Sequence, residues 1–296
     1  MKNFLINTIF LFLKILDEII KKVFKKKNFL QLLHDKIEEN QYTHKIINNK
    51  KINFFCPSSK TMERVNTLFT KEPETLMWID KFDYNQKNLV FWDIGANIGL
   101  YSLYASAKFS NIEVVAFEPG TSNLRVLSRN IFINSFSEKI KICQIALNDK
   151  VNTYKNFEEI NFGEGRGRAN FNNRIDQHGN RILEENIKNK YTLLGTSIDY
   201  LLENKILRTP NYMKIDVDGI EREILNGAKK LFLKKELKEV QIELNPSFKE
   251  SYEEIHNFFI ENGFKKIVET NQYLIKNKNF KLNNKSILNT VFQRVD

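Results

Sequence analysis

The sequence predicts an α/β protein, a doubly wound and mostly parallel sheet with helices on both faces. From residue 89 onward, apolar strand-like runs alternate with segments of helical periodicity, which is typical of such sheets. The first run ends in a glycine turn, "DIGANIG", that leads directly into a helical pattern. Because ligands of these sheets bind beyond the carboxyl ends of the strands, the turn is a candidate ligand site.

The composition fits an enzyme body with a basic attachment. The chain has 296 residues, of which 42% are hydrophobic, and a formal net charge of +10. Residues 1–51 hold 11 Lys against 5 Asp and Glu, so much of the excess positive charge lies in this first segment. The chain's two cysteines, Cys56 and Cys143, lack C-x-x-C spacing, which fits a reducing compartment and gives no support to a zinc site or a disulfide framework.

Residues 1–58 are predicted to form an amphipathic, basic helical extension. Apolar residues recur there at helical spacing, at Leu5, Ile9, Phe12, Leu16, Ile19 and Val23. The uninterrupted apolar run is too short to span a bilayer, which needs about 20 residues. Two interpretations stay open: residues 1–30 could lie on an anionic membrane surface, or the helix could pack on protein. The expected location is cytoplasmic, with peripheral attachment to the inner face of the membrane as one possibility.

Elements follow in order from residue 59. Residues 59–82, "SKTMERVNTLFTKEPETLMWIDKF", are predicted to be a helical approach to the first core strand. The predicted strands are "NLVFWDIG", "EVVAFEP", "IKICQIAL", "NYMKIDVDG" and "KEVQIELN". The predicted helices are "LYSLYASAKF", "SNLRVLSRNIFIN", "IEREILNGAKKLFLKKEL" and "SYEEIHNFFIENG". Two strand candidates, "FKKIVETNQYLI" and "SILNTVFQRV", complete the pattern.

Polar residues collect where the predicted strands end. They are Asp93, Glu118, Asn148, Asp149, Asp216, Asp218, Glu243 and Asn245. Gly95 and Gly99 allow a tight turn, but the three-glycine spacing of a dinucleotide site is absent. An acid at Asp93 would repel a pyrophosphate and suits a cofactor with an ammonium group, while Glu118 could accept ribose hydroxyls. This pattern favours S-adenosylmethionine, although glycine turns also occur in α/β proteins that bind no ligand there.

Four blocks resemble the FkbM family of S-adenosylmethionine-dependent methyltransferases. They are "FWDIGANIGLYSLYAS", "VVAFEPGTSNLRVLSRNIFIN", "TSIDYLL" and "MKIDVDGIEREILNGAKKLF". The resemblance implies a class I methyltransferase domain over residues 59–296. It also implies that Asp93, Gly95, Asn97 and Gly99 hold the methionine end of the cofactor, that Glu118 holds the ribose, and that Asn148 or Asp149 lies near the adenine. Where the family usually has a glutamate, this chain has Asp218.

Three acids are candidates for the chemistry, namely Asp216, Asp218 and Glu243. A hydroxyl acceptor needs a base, a metal or both, and clustered carboxylates can share a proton, which raises one pKa. A bare carboxylate base is favoured over Mg²⁺, because no histidine or second acid motif completes a familiar ligand set. Alternatively, Asp218 and Glu221 only cap the helix that begins near Ile220.

Residues 161–195 are predicted to be a substrate-binding or lid insertion, or else a solvated loop. Four arginines lie there, Arg166, Arg168, Arg174 and Arg181, and could meet acidic groups of an acceptor. His178 is expected to be a loop residue rather than a base.

The predicted function is O-methylation of a saccharide hydroxyl in a surface polysaccharide or glycolipid. One alternative is an RNA methyltransferase using Lys71, Asp216, Lys229 or Lys230, and Glu243, although nucleic acid is not the favoured partner. The other alternative is a non-catalytic, membrane-associated scaffold that keeps a cofactor fold. The sequence does not indicate an oligomeric state.

Overall fold

The computed structural model describes residues 2–24, 29–171, 173–176, 179–269 and 288–295. The helices are α1 (Lys2–Phe24), α2 (Phe29–Glu38), α3 (Ser59–Asn66), α4 (Pro73–Ile79), α5 (Leu100–Lys108), α6 (Thr121–Ile133), α7 (Ile198–Glu203), α8 (Glu221–Asn226) and α9 (Lys249–Glu261). The strands are β1 (Tyr42–Ile47), β2 (Lys50–Phe55), β3 (Leu89–Ile94), β4 (Ile112–Phe117), β5 (Ile140–Cys143), β6 (Ala146–Leu147), β7 (Thr153–Glu159), β8 (Ala169–Phe171), β9 (Asn189–Thr196), β10 (Tyr212–Ile215), β11 (Glu239–Leu244), β12 (Phe264–Glu269) and β13 (Leu288–Arg294).

The described strands build a central sheet in the order β12-β13-β11-β10-β3-β4-β5. Strands β5, β4, β3, β10 and β11 are mutually parallel, whereas β13 runs antiparallel between β11 and β12. Within this sheet, the chain passes from β3 through β4 to β5 at one edge and then returns to β10, on the other side of β3. The strand order therefore reverses between β3 and β10, where a ligand crevice is expected to open. The predicted α/β class and doubly wound sheet are confirmed.

Both faces of the sheet are covered, which explains its continuous apolar strands. On one face, Phe91 and Val114 pack with Leu103 of α5 and Val126 of α6. On the other face, the strands pack against α7, α8 and α9 through side chains that include Trp92, Val115, Met213, Leu201, Ile224 and Phe259. The sheet edge that carries the strand ends thus lies between two packed layers.

The extension differs from the helical prediction beyond residue 38. Residues 42–55 form the antiparallel hairpin β1–β2, and Asn48 and Asn49 take left-handed backbone angles at its tip. Two consecutive positive φ angles are the signature of a tight hairpin turn, and asparagine tolerates them. Buried Phe54 and Phe55 fix β2 to the body, where the Phe55 N–H donates to Asn130 Oδ1 at 2.7 Å.

Helix α1 packs against α2 and leaves most of its apolar side chains exposed. Asp17 joins the two helices by accepting a hydrogen bond from the Leu30 N–H at 3.0 Å. Phe4 is 77% exposed and Phe12 65%. Within the described residues, no helix combines the length and the apolar character needed to cross a bilayer.

In two other segments, the structure forms two elements where the sequence predicts one. Residues 59–82 form two helices, α3 and α4, because Ser58 and Thr61 close a capping box and Pro73 begins a second helix. The predicted strand "IKICQIAL" splits into β5 and β6. Strand β6 leaves the central sheet for a small sheet of order β6-β9-β7-β8, which includes β8 and most of β9 from the 161–195 insertion.

Candidate active site

The glycine turn after β3 is shaped by close contact with the end of β10. Gly95 has a φ of +83°, and a Cβ placed there would lie 1.9 Å from the carbonyl oxygen of Asp216. Gly99 has a φ of +85°, and its Cβ would lie 2.5 Å from Leu127 on α6. Gly95 therefore lets two strand-end loops touch, whereas Gly99 lets α5 pack on α6. Both glycines are required by geometry before any ligand is considered.

Glu118 holds the turn from the neighbouring strand end. Its two carboxylate oxygens accept hydrogen bonds from the backbone N–H groups of Asn97 and Gly120, each at 2.8 Å. Burial raises the pKa of Glu118 to about 7, although these two N–H groups favour the ionised form. A carboxylate has about four acceptor positions, so Glu118 keeps capacity for further donors. Ribose binding by Glu118 stays a prediction.

A cleft of about 90 Å³ opens beside this turn. Its polar end is lined by Gly95, Asn97, Glu118, Asn123, Asp216 and Asp218. Its apolar end is lined by Ile145, Ala146, Leu147, Phe157, Ala169 and Phe171. The combination suits a ligand with a charged, hydroxylated part and a flat apolar part.

Asn148 and Asp149 do not line this cleft, unlike the prediction. The Asn148 side chain accepts from the Lys150 N–H at 2.7 Å and donates to the Ala146 carbonyl at 3.3 Å. Asp149 pairs with Lys150. Strand β6 turns away to pair with β9, and it carries both residues with it. The apolar wall supplied by Ala146 and Leu147 takes their expected place.

Asp93 lies beneath the turn rather than in the cleft. It is fully buried, and its Oδ2 accepts a hydrogen bond from the Ser102 hydroxyl at 2.6 Å. Its Oδ1 has no hydrogen-bond partner among the described residues. Burial raises the pKa of Asp93, against the favourable effect of nearby Lys214. Asp93 thus supports the site from below.

Asp216 lies between the cleft and a second cavity, and it lines both. The second cavity, of about 30 Å³, is also lined by Arg64, Lys71, Glu72 and Tyr101. Lys214 Nζ donates to Asp216 Oδ2 at 2.5 Å. A carboxylate at this junction could contact ligands in both spaces.

Glu72 lines the second cavity but was not among the predicted site residues, although it lies in the polar segment "KEPET". It is buried, and it accepts hydrogen bonds from the Tyr101 hydroxyl and from Lys71 Nζ, each at 2.7 Å. Burial alone would raise its pKa, but Lys214 and Lys71 outweigh burial and lower it to about 2. Glu72 therefore stays ionised.

Three further acids, Asp218, Glu221 and Glu243, are close enough to Asp216 for their charges to interact. Asp218 accepts a hydrogen bond from the Arg168 N–H rather than from helix α8, and the N-terminal residue of α8 has no side-chain cap. Burial raises the pKa of Asp218. Burial also raises the pKa of Glu221, to about 8, and that of Glu243 well above its usual value, where Asp216 adds to the effect. Glu221 and Glu243 line a third cavity of about 30 Å³.

Part of the insertion covers the mouth of the cleft. The carbonyl oxygen of Arg166 accepts hydrogen bonds from Asn97 Nδ2 at 2.8 Å and from Asn123 Nδ2 at 3.1 Å. Arg174, by contrast, is committed to Glu158. His178 lies outside the described residues. The described residues contain no group of three or more acids, histidines or cysteines placed to hold a metal ion.

The lysines proposed for RNA chemistry are only partly brought together. Lys71 lies in the second cavity with Asp216, and Glu243 is close enough to Asp216 for their charges to interact. Lys230 instead binds Glu203.

The strand order is that of a class I, Rossmann-like methyltransferase fold. Residues 93–266 match the methyltransferase FkbM domain, and the chain belongs to this family of S-adenosylmethionine-dependent methyltransferases. The predicted family is confirmed.

Curated relatives carry related descriptions. The methyltransferase sdnD of Sordaria araneosa is 28% identical over 158 residues, covering 46% of this chain and 59% of that protein. The hexuronic acid methyltransferase AglP of Haloferax volcanii is 28% identical over 138 residues, covering 47% and 49%. The chain thus spans about half the length of the curated relatives it matches. Among solved structures, a precorrin-6y C5,15-methyltransferase from Geobacter metallireducens has 15% identity and a TM-score of 0.44, covering 77% of this chain and 91% of that one.

Proposed function

We propose that this chain transfers a methyl group from S-adenosylmethionine to a saccharide hydroxyl, with Asp216 as the general base. The observation that carries the proposal is the position of Asp216, which lines the cleft beside the glycine turn and the neighbouring cavity at once. Methyl transfer needs donor and acceptor held at near-attack distance. A base at the junction of their two binding spaces meets that need.

The residues that line the cleft suit the different parts of S-adenosylmethionine. Glu118 can accept ribose hydroxyls, and the apolar wall that includes Leu147 and Phe157 can take the adenine. The acidic end of the cleft at Asp216 and Asp218 suits the positively charged ammonium and sulfonium groups. When bound, S-adenosylmethionine supplies an electrophilic methyl group on that sulfonium.

Asp216 is the best base among the predicted acids. Burial raises the pKa values of Asp218 and Glu243. Of the three, only Asp216 lines both the cleft and the second cavity, and its Oδ2 is held by a hydrogen bond from Lys214. We assign proton removal to Asp216, while Asp218 lines the cleft and Glu243 the third cavity.

A saccharide acceptor is supported by the relative AglP and by the second cavity. AglP is described as a hexuronic acid methyltransferase. The cavity beside Asp216 offers Arg64, Lys71 and the Tyr101 ring, a set that can bind hydroxyl and carboxylate groups. We place the saccharide in a surface polysaccharide or glycolipid, as predicted from the sequence.

We further infer that α1 attaches the enzyme to an anionic membrane surface. Exposed Phe4, Phe12 and other apolar side chains of α1 would enter the interface, and lysines such as Lys14 and Lys22 would face anionic lipid. A glycolipid acceptor would be met at such a surface.

The proposal is tested by calorimetry followed by mass spectrometry of surface glycans. We expect S-adenosylmethionine to bind and NAD not to bind, and we expect glycans from cells lacking the gene to lose one methyl increment. Absence of S-adenosylmethionine binding would favour a scaffold instead. Methyl transfer to RNA, with affinity that falls steeply as salt rises, would replace the saccharide with RNA.

A further inference from the structure

A lysine occupies the centre of the site, in a strand where an apolar residue is expected. Lys214 is 1% exposed and lies in β10, next to Asp93 of β3 and Gln241 of β11. Burial of an ammonium group without partners costs several kcal/mol. Lys214 must therefore be compensated by its surroundings.

The compensation comes from carboxylates and an aromatic ring. Lys214 Nζ donates to Asp216 at 2.5 Å and lies 4.8 Å from the centre of the Tyr101 ring. The Tyr101 hydroxyl binds Glu72. Burial lowers the pKa of Lys214, but the charges of Asp216, Glu72 and Asp93 outweigh burial and raise it. The ammonium group thus stays charged at the point where these acids converge.

The arrangement constrains Asp216. Lys214 engages Oδ2 of that carboxylate. The described residues donate no hydrogen bond to the other oxygen, so it can accept a proton from a bound hydroxyl.

We propose that Lys214 is a positioning residue for methyl transfer, holding the Asp216 carboxylate oriented toward both cavities while Tyr101 and Glu72 hold Lys214. This inference rests on the proposed function. In the step, the acceptor hydroxyl gives its proton to Asp216 and its oxygen forms a bond to the methyl carbon. The carbon–sulfur bond breaks, and its electron pair stays on sulfur as a neutral thioether. Lys214 keeps its proton throughout.

The first test needs no acceptor. Carbon-13 NMR of aspartate carboxyls, with the Asp216 signal identified from Asp216→Asn, compares that signal in the wild type and in Lys214→Met. We expect its chemical shift to change when the hydrogen bond from Lys214 is lost. Lys139→Met is the matched control, because Lys139 binds the backbone carbonyls of Ser106 and Phe109. It should leave the Asp216 signal unchanged.

An unchanged Asp216 carboxyl signal in Lys214→Met would overturn the inference. If that variant does not fold, the partner substitution supplies the answer. In Asp216→Asn, the nitrogen-15 resonance of the Lys214 ammonium should shift and its hydrogens should exchange faster than in the wild type. An unaltered resonance would show that the pair does not form.

Turnover distinguishes a positioning role from a structural one. With methyl-labelled S-adenosylmethionine and a hexuronic acid glycoside, Lys214→Met should lower kcat at least about 100-fold and change KM and cofactor affinity less than about threefold. The double variant with Lys214→Met and Asp216→Asn should have nearly the same kcat as Asp216→Asn alone, because the two residues act as a unit. Additive losses of kcat would contradict the inference that Lys214 acts through Asp216. Failure of the wild type on every acceptor would refute the proposed function and leave the NMR test standing.

Discussion

Glu118 is expected to make S-adenosylmethionine binding depend on pH near neutrality. Burial raises the pKa of Glu118 to about 7, and the ionised carboxylate is the form that accepts two ribose hydroxyls best. If only that form binds, affinity at pH 6 is about one tenth of the affinity at pH 8. The stability of the unliganded protein should instead decrease as pH rises. Because the folded pKa lies above the unfolded value, the contribution of Glu118 is fully present below about pH 4.5 and is lost as pH rises through 7.

Glu118→Gln tests the same charge by removing it. Two charge-assisted hydrogen bonds to the ribose become neutral ones, a loss of about 2–3 kcal/mol, or roughly 30- to 150-fold in affinity. The pH dependence between 6 and 8 should also disappear. Glu221→Gln is the matched control, because Glu221 also has a raised pKa but lines a different cavity.

Titration calorimetry at pH 6, 7 and 8 measures both effects. The wild type and Glu221→Gln should bind more tightly as pH rises, whereas Glu118→Gln should bind weakly at every pH. Equal affinity of the wild type at pH 6 and 8, or full affinity in Glu118→Gln, would refute the assignment of Glu118 to the ribose.

Three further outcomes are expected. Gly95→Ala should lower the free energy of unfolding by about 3 kcal/mol or more and abolish cofactor binding in calorimetry, because its Cβ would lie 1.9 Å from the Asp216 carbonyl oxygen. Gly263→Ala, with a φ of +79° and open space around the Cβ, should cost only about 1–2 kcal/mol; equal losses in the two variants would contradict the close contact. Asp216→Asn should keep cofactor affinity within about threefold and lose at least about 100-fold in kcat, and a fully active variant would remove Asp216 from the mechanism. Phe12→Glu should weaken partitioning onto anionic liposomes by about 10-fold or more, whereas Leu233→Glu, an exposed position outside α1, should not; unchanged partitioning of Phe12→Glu would refute attachment through α1.

The sheet and its glycine turn could be predicted because their signals are local. Alternating strands and helices specify a parallel sheet, and Gly95 and Glu118 follow directly from the ends of two strands. The hairpin at 42–55 was missed because its signal, the Asn48–Asn49 turn, is short and follows a strong helical pattern. The departure of β6 from the sheet depends on pairing with β9, far along the chain, and no local pattern shows it.

The interior of the site was harder to predict than its rim. Asp93 was expected at the cofactor, but it lies within β3 and points into packed protein, where Ser102 binds it. Glu72 was not predicted as a site residue; it precedes Pro73 at the start of α4, and its side chain binds Tyr101 and Lys71 instead of capping the helix. Lys214 carried a usable signal that was overlooked. A lysine in a short buried strand is rare unless it is paired.

A crystal structure with S-adenosylhomocysteine would test the central claim most directly. We predict both ribose hydroxyls within about 3 Å of the Glu118 carboxylate, the adenine against Leu147 and Phe157, and the sulfur turned toward Asp216. A ligand bound elsewhere, or a ribose with no contact to Glu118, would contradict the account.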